Sequence, residues 1–492
     1  MDVFSSLLPY LAIALALAAA APTAIVFCAR ADRQPPGLAL VLSMTIAVAF
    51  GGLSLLMLLM QTIGLPLWPA DVLVLYLLAA LPGALWWWRR DKRSLPTRTI
   101  SRDAWLLLGL CGLVCAAVLL NAINLPFFRD DALGIYQPQA LEIARTGRLI
   151  PLTGGDSLYR AYPMLAQLNY AWAYMLAGWQ HDYAAKLMTT LLAVASVPAA
   201  FALVAESGRR RARAGAWLAA LLIVTAPTFA SWASSGYVDL PMGTFLVLTL
   251  VYLARMWRDG HPRDAAAAGL MFGLACWTKN NALILAPSLL AALVVMVLAR
   301  RIPLRTAVLT LCFGLVVTAP WYVRNLFGAG FLLPDTTWVE QAERTLATLL
   351  VFITTPNNFL LTGWLVTAAL VLAPLAWLRH RAQAYPELLI LLFAGPFFAG
   401  WWLFASYDER FLVAILPMLA ALAGLILPDL VAGLWSRRVV RLGALSLAVA
   451  MCAYCAFIAV QYKDELAREP FMSDADRRIM VGRLPDSSIP AP

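Results

Sequence analysis

Charged residues are scarce in this chain of 492 residues, where Asp, Glu, Lys and Arg make up 13% and hydrophobic residues 62%. A soluble globular protein of this size does not need so much apolar surface, so the composition excludes that class. The chain also lacks a basic segment before its first apolar stretch, which argues against a cleaved signal peptide. It has no Gly-rich nucleotide-binding loop, so nothing in the sequence indicates a nucleotide substrate.

Long apolar stretches dominate the sequence instead. Uncharged runs of about 17 residues or more recur along most of its length, and each is long enough to cross a hydrocarbon core. Backbone polar groups inside a bilayer need partners within their own segment, so these spans are helices. We predict an all-α polytopic membrane protein with about 13 or 14 transmembrane helices, the first of which is retained in the protein.

Most Lys and Arg residues fall in short segments between the apolar runs, as in cytoplasmic loops, so the net charge of +10 does not indicate nucleic-acid binding. The segments predicted to be cytoplasmic are 89–103, 207–214, 255–263, 300–305, 379–381 and 437–441. This arrangement places a loop over 122–182 on the extracytoplasmic side. If segment 162–178 crossed the membrane, the orientation of every later span would be reversed. The segment also carries Gln167, Asn169 and several Tyr and Trp residues. We interpret it as a helix that lies on, or dips into, the outer face.

The acidic pair Asp130–Asp131, in "LPFFRDDALGIYQP", directly follows an apolar run. Ionisable groups this close to a bilayer are costly and usually functional. The alternative is helix capping. A helix is predicted from Pro138 to Gly147, which is too far downstream for either aspartate to cap. A helix start near Asp131 would leave capping open.

Four more charged residues are predicted at the outer ends of spans. Asp239 opens a span and is either a helix cap or part of a site, while Lys279 is either a headgroup anchor or part of a site. Arg324 and Arg410 lie where basic residues are comparatively scarce, so we expect an anionic partner, either a lipid headgroup or a substrate phosphate. Further substrate-binding candidates in the loop are Tyr136, Arg160 and Tyr162.

Several motifs follow one another in an order that resembles a known family. They are the acidic pair after an early span, "YP" before an amphipathic segment, a span-opening aspartate, "GLACWTKNNALILAP", "PWYVRN" and "RFLVAILPMLA". Over residues 104–425 they resemble GT-C fold glycosyltransferases, above all the lipid A aminoarabinose transferases and bacterial protein O-mannosyltransferases. Two features depart from that family: Asp-Asp stands where Asp-Glu is common, and three extra spans come first.

The resemblance implies a GT-C enzyme that transfers a sugar, with inversion, from a polyprenyl-phosphate carrier to an extracytoplasmic lipid, glycan or protein. Asp130 or Asp131 is then the general base, and the other orients it or binds a divalent metal; no further cofactor is expected. Asp239 supports the acceptor side, and Lys279, Arg324 and Arg410 hold the phosphate. The resemblance also implies a bacterial inner-membrane protein whose active site is on the extracytoplasmic face.

Three parts are predicted along the chain: extra transmembrane helices over 1–103, a GT-C core over 104–460, and an extracytoplasmic tail over 461–492. The tail is too short to bury much of a core alone, so it either packs on the loop or is mobile.

Two other functions stay open. A polyprenyl-lipid transporter or flippase also combines many helices with membrane-embedded charge, but transporters usually show internal repeats and midplane charges, which are not evident here. A ligase or polymerase of lipid-linked glycans shares the donor chemistry but usually has a large late outer loop, and segment 325–355 is modest. Neither the sugar nor the acceptor can be read from the sequence.

Overall fold

The computed structural model describes residues 3–29, 37–89, 102–152, 157–177, 181–334, 339–380, 385–435, 437–469 and 472–482. Within these ranges the chain is helical and has no strand, which confirms the predicted all-α class. A π-helix covers Ala132–Tyr136, and 3₁₀-helices cover Asn280–Leu285, Val339–Gln341 and Glu409–Ala414. The α-helices are α1 Val3–Cys28, α2 Leu38–Thr62, α3 Pro69–Arg89, α4 Arg102–Asn124, α5 Gln137–Thr146, α6 Ser157–Arg160, α7 Leu165–Ala177, α8 Asp182–Val194, α9 Ser196–Ala205, α10 Ala212–Val224, α11 Pro227–Trp232, α12 Asp239–Asp259, α13 Pro262–Thr278, α14 Ala286–Leu298, α15 Leu304–Ala329, α16 Leu346–Leu349, α17 Val351–Thr354, α18 Pro356–His380, α19 Tyr385–Phe404, α20 Leu416–Leu430, α21 Ala432–Trp435, α22 Arg438–Ala459, α23 Lys463–Arg468 and α24 Asp474–Met480.

Eleven helical segments of the described chain are long and apolar enough to cross a membrane. Two shorter apolar helices, α10 and α20, have 13 and 15 residues and do not reach the length that a span requires. The eleven candidate spans of the described residues are fewer than the predicted 13 or 14. The chain is nevertheless an integral membrane protein.

Ion pairs at both ends of the α12–α13 hairpin define the two ends of the helical bundle. Asp239, the first residue of α12, pairs with Lys279, which follows the last residue of α13, at 2.7 Å. At the opposite end Arg255 of α12 pairs with Asp264 of α13 at 3.2 Å. The two helices are thus antiparallel, and their ends lie side by side at both ends of the hairpin. We call the end with Asp239 and Lys279 the loop end, and the end with Arg255 and Asp264 the basic end.

Segments that the charge distribution predicts on one side of the membrane meet at the basic end. Arg258, in the last turn of α12, donates a hydrogen bond to the Glu206 carbonyl at 2.8 Å. Arg209, in the segment before α10, pairs with Glu387 at the start of α19. These contacts bring the predicted cytoplasmic segments 207–214 and 255–263 close together at the basic end, and the orientation of the full set stays a prediction.

Segment 162–178, interpreted as a helix that lies on or dips into the outer face, agrees with the second alternative because it is buried inside the protein. It forms α7, whose 13 residues give a length of about 20 Å, too short to cross a core of about 30 Å alone. Its residues from Leu165 to Tyr174 are all buried. Gln167 and Asn169, which suggested a headgroup boundary, hydrogen-bond to other parts of the chain, and Asn169 reaches the Phe50 carbonyl in the middle of α2 at 3.1 Å. The polar side chains thus serve helix packing, and the helix dips into the bundle without resting on the membrane surface.

The N-terminal helices pack against the rest of the bundle. α2 contacts α7 and α9, and the Ser43 hydroxyl donates to the Ala195 carbonyl at 3.1 Å. The Trp277 indole N–H donates to the Ser54 hydroxyl at 3.1 Å. α3 packs on α1 and leaves most of its surface to lipid. α1 also contacts α7 and α13, so both α1 and α2 join the central packing.

The described part of the tail packs on the loop, one of the two predicted alternatives. Arg478 of α24 pairs with the buried Asp182 at 3.2 Å, and Arg477 donates to the Asn124 carbonyl at 3.1 Å. These contacts place α24 at the loop end.

Candidate active site

Helical structure at the loop end begins at the acidic pair. The π-helix starts directly after Asp131 and continues into α5. α5 ends before Gly147, whose backbone is left-handed with φ 64°. The predicted end at Gly147 agrees with the structure, and the start is the earlier one that left capping open. The Asp131 side chain nevertheless makes no capping hydrogen bond. Capping therefore does not explain this carboxylate, which contacts Arg410.

Arg410 lies at the centre of the charged residues at this end. Its Nη2 is 3.0 Å from Asp131 Oδ2, and its Nε is 3.4 Å from Asp408 Oδ2. Three aromatic rings surround the guanidinium carbon, with ring centroids 5.3, 4.5 and 4.9 Å away: Trp232, Tyr237 and Phe411. Two carboxylates and three rings hold the guanidinium in one orientation, as the planar Arg side chain allows.

A second ion pair, Asp239–Lys279, lies beside the first. α12 has no side-chain cap, and Asp239 Oδ1 accepts from Lys279 Nζ at 2.7 Å, so capping is not its role. Lys279 is only 9% exposed, which excludes a headgroup anchor. Its Nζ lies 4.6 Å from the centroid of Phe411, the ring that also contacts Arg410. The two ion pairs therefore form one group; we call Asp130, Asp131, Asp239, Lys279 and Arg410 the loop-end cluster.

Two glycines permit the close backbone approaches that assemble this cluster. A Cβ on Gly243 of α12 would lie 2.4 Å from the Ala414 carbonyl oxygen, so the 3₁₀-helix with Arg410 packs directly on α12. Gly236 has φ +82°, and a Cβ there would lie 2.2 Å from the Phe127 ring. Any larger residue at either position would separate the elements that carry the cluster.

The two aspartates of the acidic pair differ in their surroundings. Burial raises the pKa of the Asp131 carboxyl, although the nearby Arg410 and Lys279 cations oppose that effect. Burial would lower the pKa of the Arg410 guanidinium, but the carboxylates of Asp239, Asp131 and Asp408 together raise it. Asp130 is exposed and makes no hydrogen bond or ion pair with a described residue. Asp131 is therefore engaged with Arg410, whereas Asp130 is available to a substrate.

Tyrosine side chains surround the acidic pair. The Asp131 backbone N–H donates to the Tyr237 hydroxyl at 2.9 Å, and the rings of Tyr237 and Tyr136 are edge-on at 6.4 Å. Burial, followed by the charges of Asp131 and Asp239, raises the pKa of Tyr136 well above its ordinary value. The nearby Tyr162 makes a smaller contribution to this rise in the pKa of Tyr136. The predicted candidates Tyr136 and Tyr162 thus lie around the cluster.

Arg324 is also at the loop end but does not contact the cluster. Its Nη2 donates to the Ile150 carbonyl, and its guanidinium carbon lies 4.4 Å from the centroid of the Trp321 ring. Its Nη1 is buried and has no hydrogen-bond partner among the described residues. A buried cationic donor without a partner is costly, so this nitrogen is suited to an anionic ligand.

Arg160 contacts the loop segment that contains Ile150, whose carbonyl binds Arg324. It donates to the Pro151 carbonyl at 3.3 Å and pairs with Glu142 at 3.6 Å. The cations predicted from sequence therefore occupy two places: Lys279 and Arg410 belong to the cluster, whereas Arg324 and Arg160 lie by the segment around Ile150–Pro151.

A buried aspartate that holds the loop together was not evident from the sequence. Asp182, at the start of α8, accepts from the Phe127 backbone N–H at 3.2 Å, the Gln137 amide at 2.8 Å and the Tyr174 hydroxyl at 2.8 Å. Arg478 of the tail completes this set at 3.2 Å. Asp182 thus joins both flanks of the π-helix to α7 and α24. Three of these four partners are 45 or more residues away in sequence, so no local pattern could identify the set.

Gln61, at the end of α2, is a second supporting residue that the sequence did not indicate. Its Oε1 accepts from the Leu149 backbone N–H at 2.9 Å, and its Nε2 donates to the Gly147 carbonyl at 3.2 Å. Leu149 directly precedes Ile150, whose carbonyl binds Arg324. Gln61 therefore fixes the loop segment against which Arg324 lies.

In the described part of the chain, no three His, Cys, Asp or Glu side chains are grouped closely enough to hold a metal ion. The carboxylate of Asp131 is already bound by Arg410 at 3.0 Å. Metal binding by the acidic pair stays a prediction.

Comparisons with known proteins bear on the fold. Residues 162–323 match the family model described as dolichyl-phosphate-mannose-protein mannosyltransferase, a range that contains Asp239 and Lys279 but not the acidic pair or Arg410. No curated protein matches the chain. The crystal structure of ArnT from Cupriavidus metallidurans bound to undecaprenyl phosphate is similar, with TM-score 0.52 and 19% identity over 78% of this chain and 73% of that chain. The apo state of ArnT gives TM-score 0.53 and 19% identity over 78% and 69%. These matches confirm the predicted GT-C fold and the resemblance seen in the sequence.

Proposed function

We propose that this chain is a membrane glycosyltransferase that moves a sugar from a polyprenyl-phosphate carrier to a hydroxyl of an acceptor outside the cytoplasm. The observation that carries the proposal is the loop-end cluster, where the exposed Asp130 stands next to two ion pairs, Asp131–Arg410 and Asp239–Lys279. ArnT, which has the same fold, was crystallised with undecaprenyl phosphate, and the matching family model is named for a dolichyl-phosphate sugar. Both findings support a lipid phosphate as the donor.

Asp130 is the general base in this proposal. A general base must come within hydrogen-bond distance of the acceptor hydroxyl, and the exposed carboxylate of Asp130 is open to such an approach. The carboxylate of Asp131 already binds Arg410, so its role is to orient that guanidinium. Asp239 orients the ammonium of Lys279 in the same way.

The transfer proceeds with inversion at the anomeric carbon. As the acceptor oxygen bonds to this carbon, the hydroxyl proton passes to Asp130 and the bond from the anomeric carbon to the phosphate oxygen breaks. The electron pair of that bond stays on the lipid phosphate, which gains negative charge. The fixed cations of Arg410 and Lys279 stabilise this charge because they need little reorganisation in the transition state.

Arg324 is the third phosphate-binding residue of the proposal. Its buried Nη1 has no partner among the described residues, whereas both other cations are held by carboxylates. A guanidinium has five N–H donors and an ammonium has three, so each paired cation retains donors for phosphate oxygens. Tyr136, Tyr162 and Arg160, which lie around these cations, contribute to the substrate site.

The proposal places the loop-end cluster on the extracytoplasmic face of a bacterial inner membrane. Its support is the concentration of basic segments at the opposite end, since such segments usually stay in the cytoplasm. In a Cys312→Ser background, which removes an exposed native thiol, Leu333→Cys should react with an impermeant thiol reagent in intact cells. Arg211→Cys should react only after permeabilisation, and labelling of Arg211→Cys from outside contradicts this orientation.

The activity can be tested with purified protein and its own cellular substrates. Polyprenyl-phosphate sugars and envelope lipids are extracted from the cells that make the protein, and products are identified by mass spectrometry. We expect release of free polyprenyl phosphate and addition of one sugar to an acceptor. Lengthening of a glycan chain would indicate a polymerase. Movement of the intact lipid-linked sugar between vesicle leaflets without release would indicate a transporter, and either result contradicts the proposal.

A further inference from the structure

A cavity of about 400 Å³ lies next to the acidic pair in the chain and is open to the surroundings. Phe128 and Arg129, which directly precede Asp130, form one side of it. The other side comes from the end of α22 and the start of the tail: Ile458, Gln461, Tyr462 and Lys463. No residue of the loop-end cluster lines this cavity, so it is a separate feature of the loop end.

Two cations line the cavity, and neither is neutralised by a described carboxylate. The Arg129 guanidinium lies 5.1 Å from the Phe128 ring centroid and 4.7 Å from that of Trp232. The Lys463 ammonium lies 3.8 Å from the Phe457 ring centroid. The Nε of Arg129 is buried and has no hydrogen-bond partner among the described residues. Contacts with aromatic rings hold these cations in place but leave their charge uncompensated, so the cavity favours an anion.

The surface next to the cavity is apolar and faces lipid. Tyr454 and Phe457 of α22 are 49% and 58% exposed, and Leu120 and Ile123 of the neighbouring α4 are exposed as well. A soluble anion would not use this surface. A molecule with a charged head and an apolar chain uses both parts, because the chain lies along α4 and α22 while the head enters the cavity.

We infer that this cavity binds the phosphate or carboxylate head group of a membrane amphiphile, at a site separate from the phosphate-binding cations of the cluster. Trp232 lies between the two sites, since its ring centroid is 4.7 Å from the Arg129 guanidinium and 5.3 Å from that of Arg410. Asp130 follows Arg129 directly, so a bound amphiphile lies next to the proposed base, where an acceptor belongs. This last step rests on the proposed function, whereas the binding site itself does not.

Independent headgroup anchors would explain two cations at a membrane boundary in simpler terms. Such anchors extend separately from the surface towards water. Arg129 and Lys463 instead line the same cavity, although they come from distant parts of the chain. Their convergence favours one shared ligand.

Binding of dioctanoyl phosphatidate to the purified full-length protein, measured by native mass spectrometry, tests the site. The double variant Arg129→Gln/Lys463→Gln should bind this probe roughly tenfold to a hundredfold more weakly than the wild type, as expected for lost charge-assisted contacts. Dioctanoyl phosphatidylcholine should bind both proteins alike. The control Arg145→Gln/Arg148→Gln removes two exposed positive charges at the same end and should bind phosphatidate as the wild type does. Equal affinity of the cavity variant and the control overturns the inference.

Competition with undecaprenyl phosphate distinguishes this site from the donor site. If undecaprenyl phosphate displaces phosphatidate from the wild type, the cavity is the phosphate site of the donor itself. The inference of a separate site is then wrong. Asp130→Asn should retain phosphatidate binding, so a failure of the proposed chemistry leaves the binding result intact. If phosphatidate inhibits transfer and added envelope extract relieves this inhibition, the occupant of the cavity is an acceptor. Stimulation by phosphatidate identifies an ordinary bilayer lipid, and both results support the site.

Discussion

The α12–α13 hairpin carries one ion pair at each end, and the two ends use charge in different ways. At the basic end Arg255 is only 2% exposed and lies 3.2 Å from Asp264 and 3.9 Å from Glu206. Its guanidinium also donates to the carbonyls of Cys28 and Ala29 at 3.2 and 3.1 Å. This cation therefore joins α1, α12 and α13, and its guanidinium has few N–H donors left for a ligand.

At the loop end the same hairpin holds Asp239 and Lys279 beside a second, more open pair. The Asp131 side chain is 32% exposed, and Asp130 next to it is exposed. One oxygen of Asp239 is buried without a hydrogen-bond partner among the described residues. Charges that the protein surrounds on all sides stabilise the fold, whereas charges that keep free donors and acceptors next to solvent are suited to chemistry. The two ends of one helix pair illustrate both cases.

The largest expected effect is a loss of stability at the basic end. Asp264→Ala leaves Arg255 buried with only the more distant Glu206, and breaking a buried pair in this way typically costs about 3–5 kcal/mol. We expect lower abundance and a lower unfolding temperature, with transfer per folded molecule unchanged. Arg258→Gln, which removes a half-exposed pair with Asp259, is the control and should cost at most about 1 kcal/mol. A normally folded but inactive Asp264→Ala protein would remove the distinction between the two ends.

Arg324→Ala should lower activity while leaving the fold intact. Arg324 has no carboxylate partner among the described residues, so its removal leaves no buried charge behind. Loss of one charge-assisted phosphate contact should reduce transfer roughly tenfold to a hundredfold, mainly through a higher KM for the donor. Arg148→Ala, at an exposed position of the same end, should have no effect. Unchanged activity combined with poor membrane insertion would show that Arg324 is an anchor.

Asp131→Asn should cause a smaller loss and change the pH profile. Burial raises the pKa of Asp131, so in the wild type this carboxylate becomes protonated at a higher pH than an ordinary aspartate and then releases Arg410. Activity that depends on the ionised form is present above this pKa and falls as the pH is lowered through it. Asn cannot be protonated in this range, so the acid limb of kcat/KM should move to lower pH. An acid limb that is identical in both proteins contradicts this role.

Gln61→Ala should have the smallest effect. Its two hydrogen bonds to the backbone at Gly147 and Leu149 hold the segment that binds Arg324, and each contributes about 0.5–1.5 kcal/mol. We expect a rise of several-fold in the donor KM with kcat unchanged, measured in the same transfer assay. Gln61→Glu retains the acceptor for the Leu149 N–H and should recover part of the affinity. A fall in kcat alone would show that Gln61 does not act through Arg324.

Sequence reasoning predicted those features of the molecule that local signals determine. Runs of apolar residues predicted membrane helices, and charged residues at predicted span ends singled out Asp239, Lys279 and Arg410, which the structure brings together. The roles of these three residues stay predictions. Contacts between distant segments were not predictable in this way. Asp182 and Arg478 are ordinary charged residues in the sequence, and only folding brings them to 3.2 Å.

The same limit explains why the sequence left two positions open for α7, on the outer face or dipping into it. Its aromatic and amide residues match the composition of a headgroup boundary, so the sequence suggests a surface helix. In the structure the Asn169 amide instead bonds the Phe50 carbonyl within the bundle. Composition cannot distinguish an amide that faces lipid headgroups from one that faces another helix.

Asp130→Asn is the decisive test of glycosyl transfer at the loop end with Asp130 as the base. The substitution keeps the shape of the side chain but removes its ability to accept the hydroxyl proton. In the purified assay transfer should fall by about 10²–10⁴-fold, while undecaprenyl-phosphate binding and the unfolding temperature stay at wild-type values. Loss of transfer in Asp131→Asn but not in Asp130→Asn would assign the base to the other aspartate. Full transfer by both single variants would contradict general-base catalysis by the acidic pair.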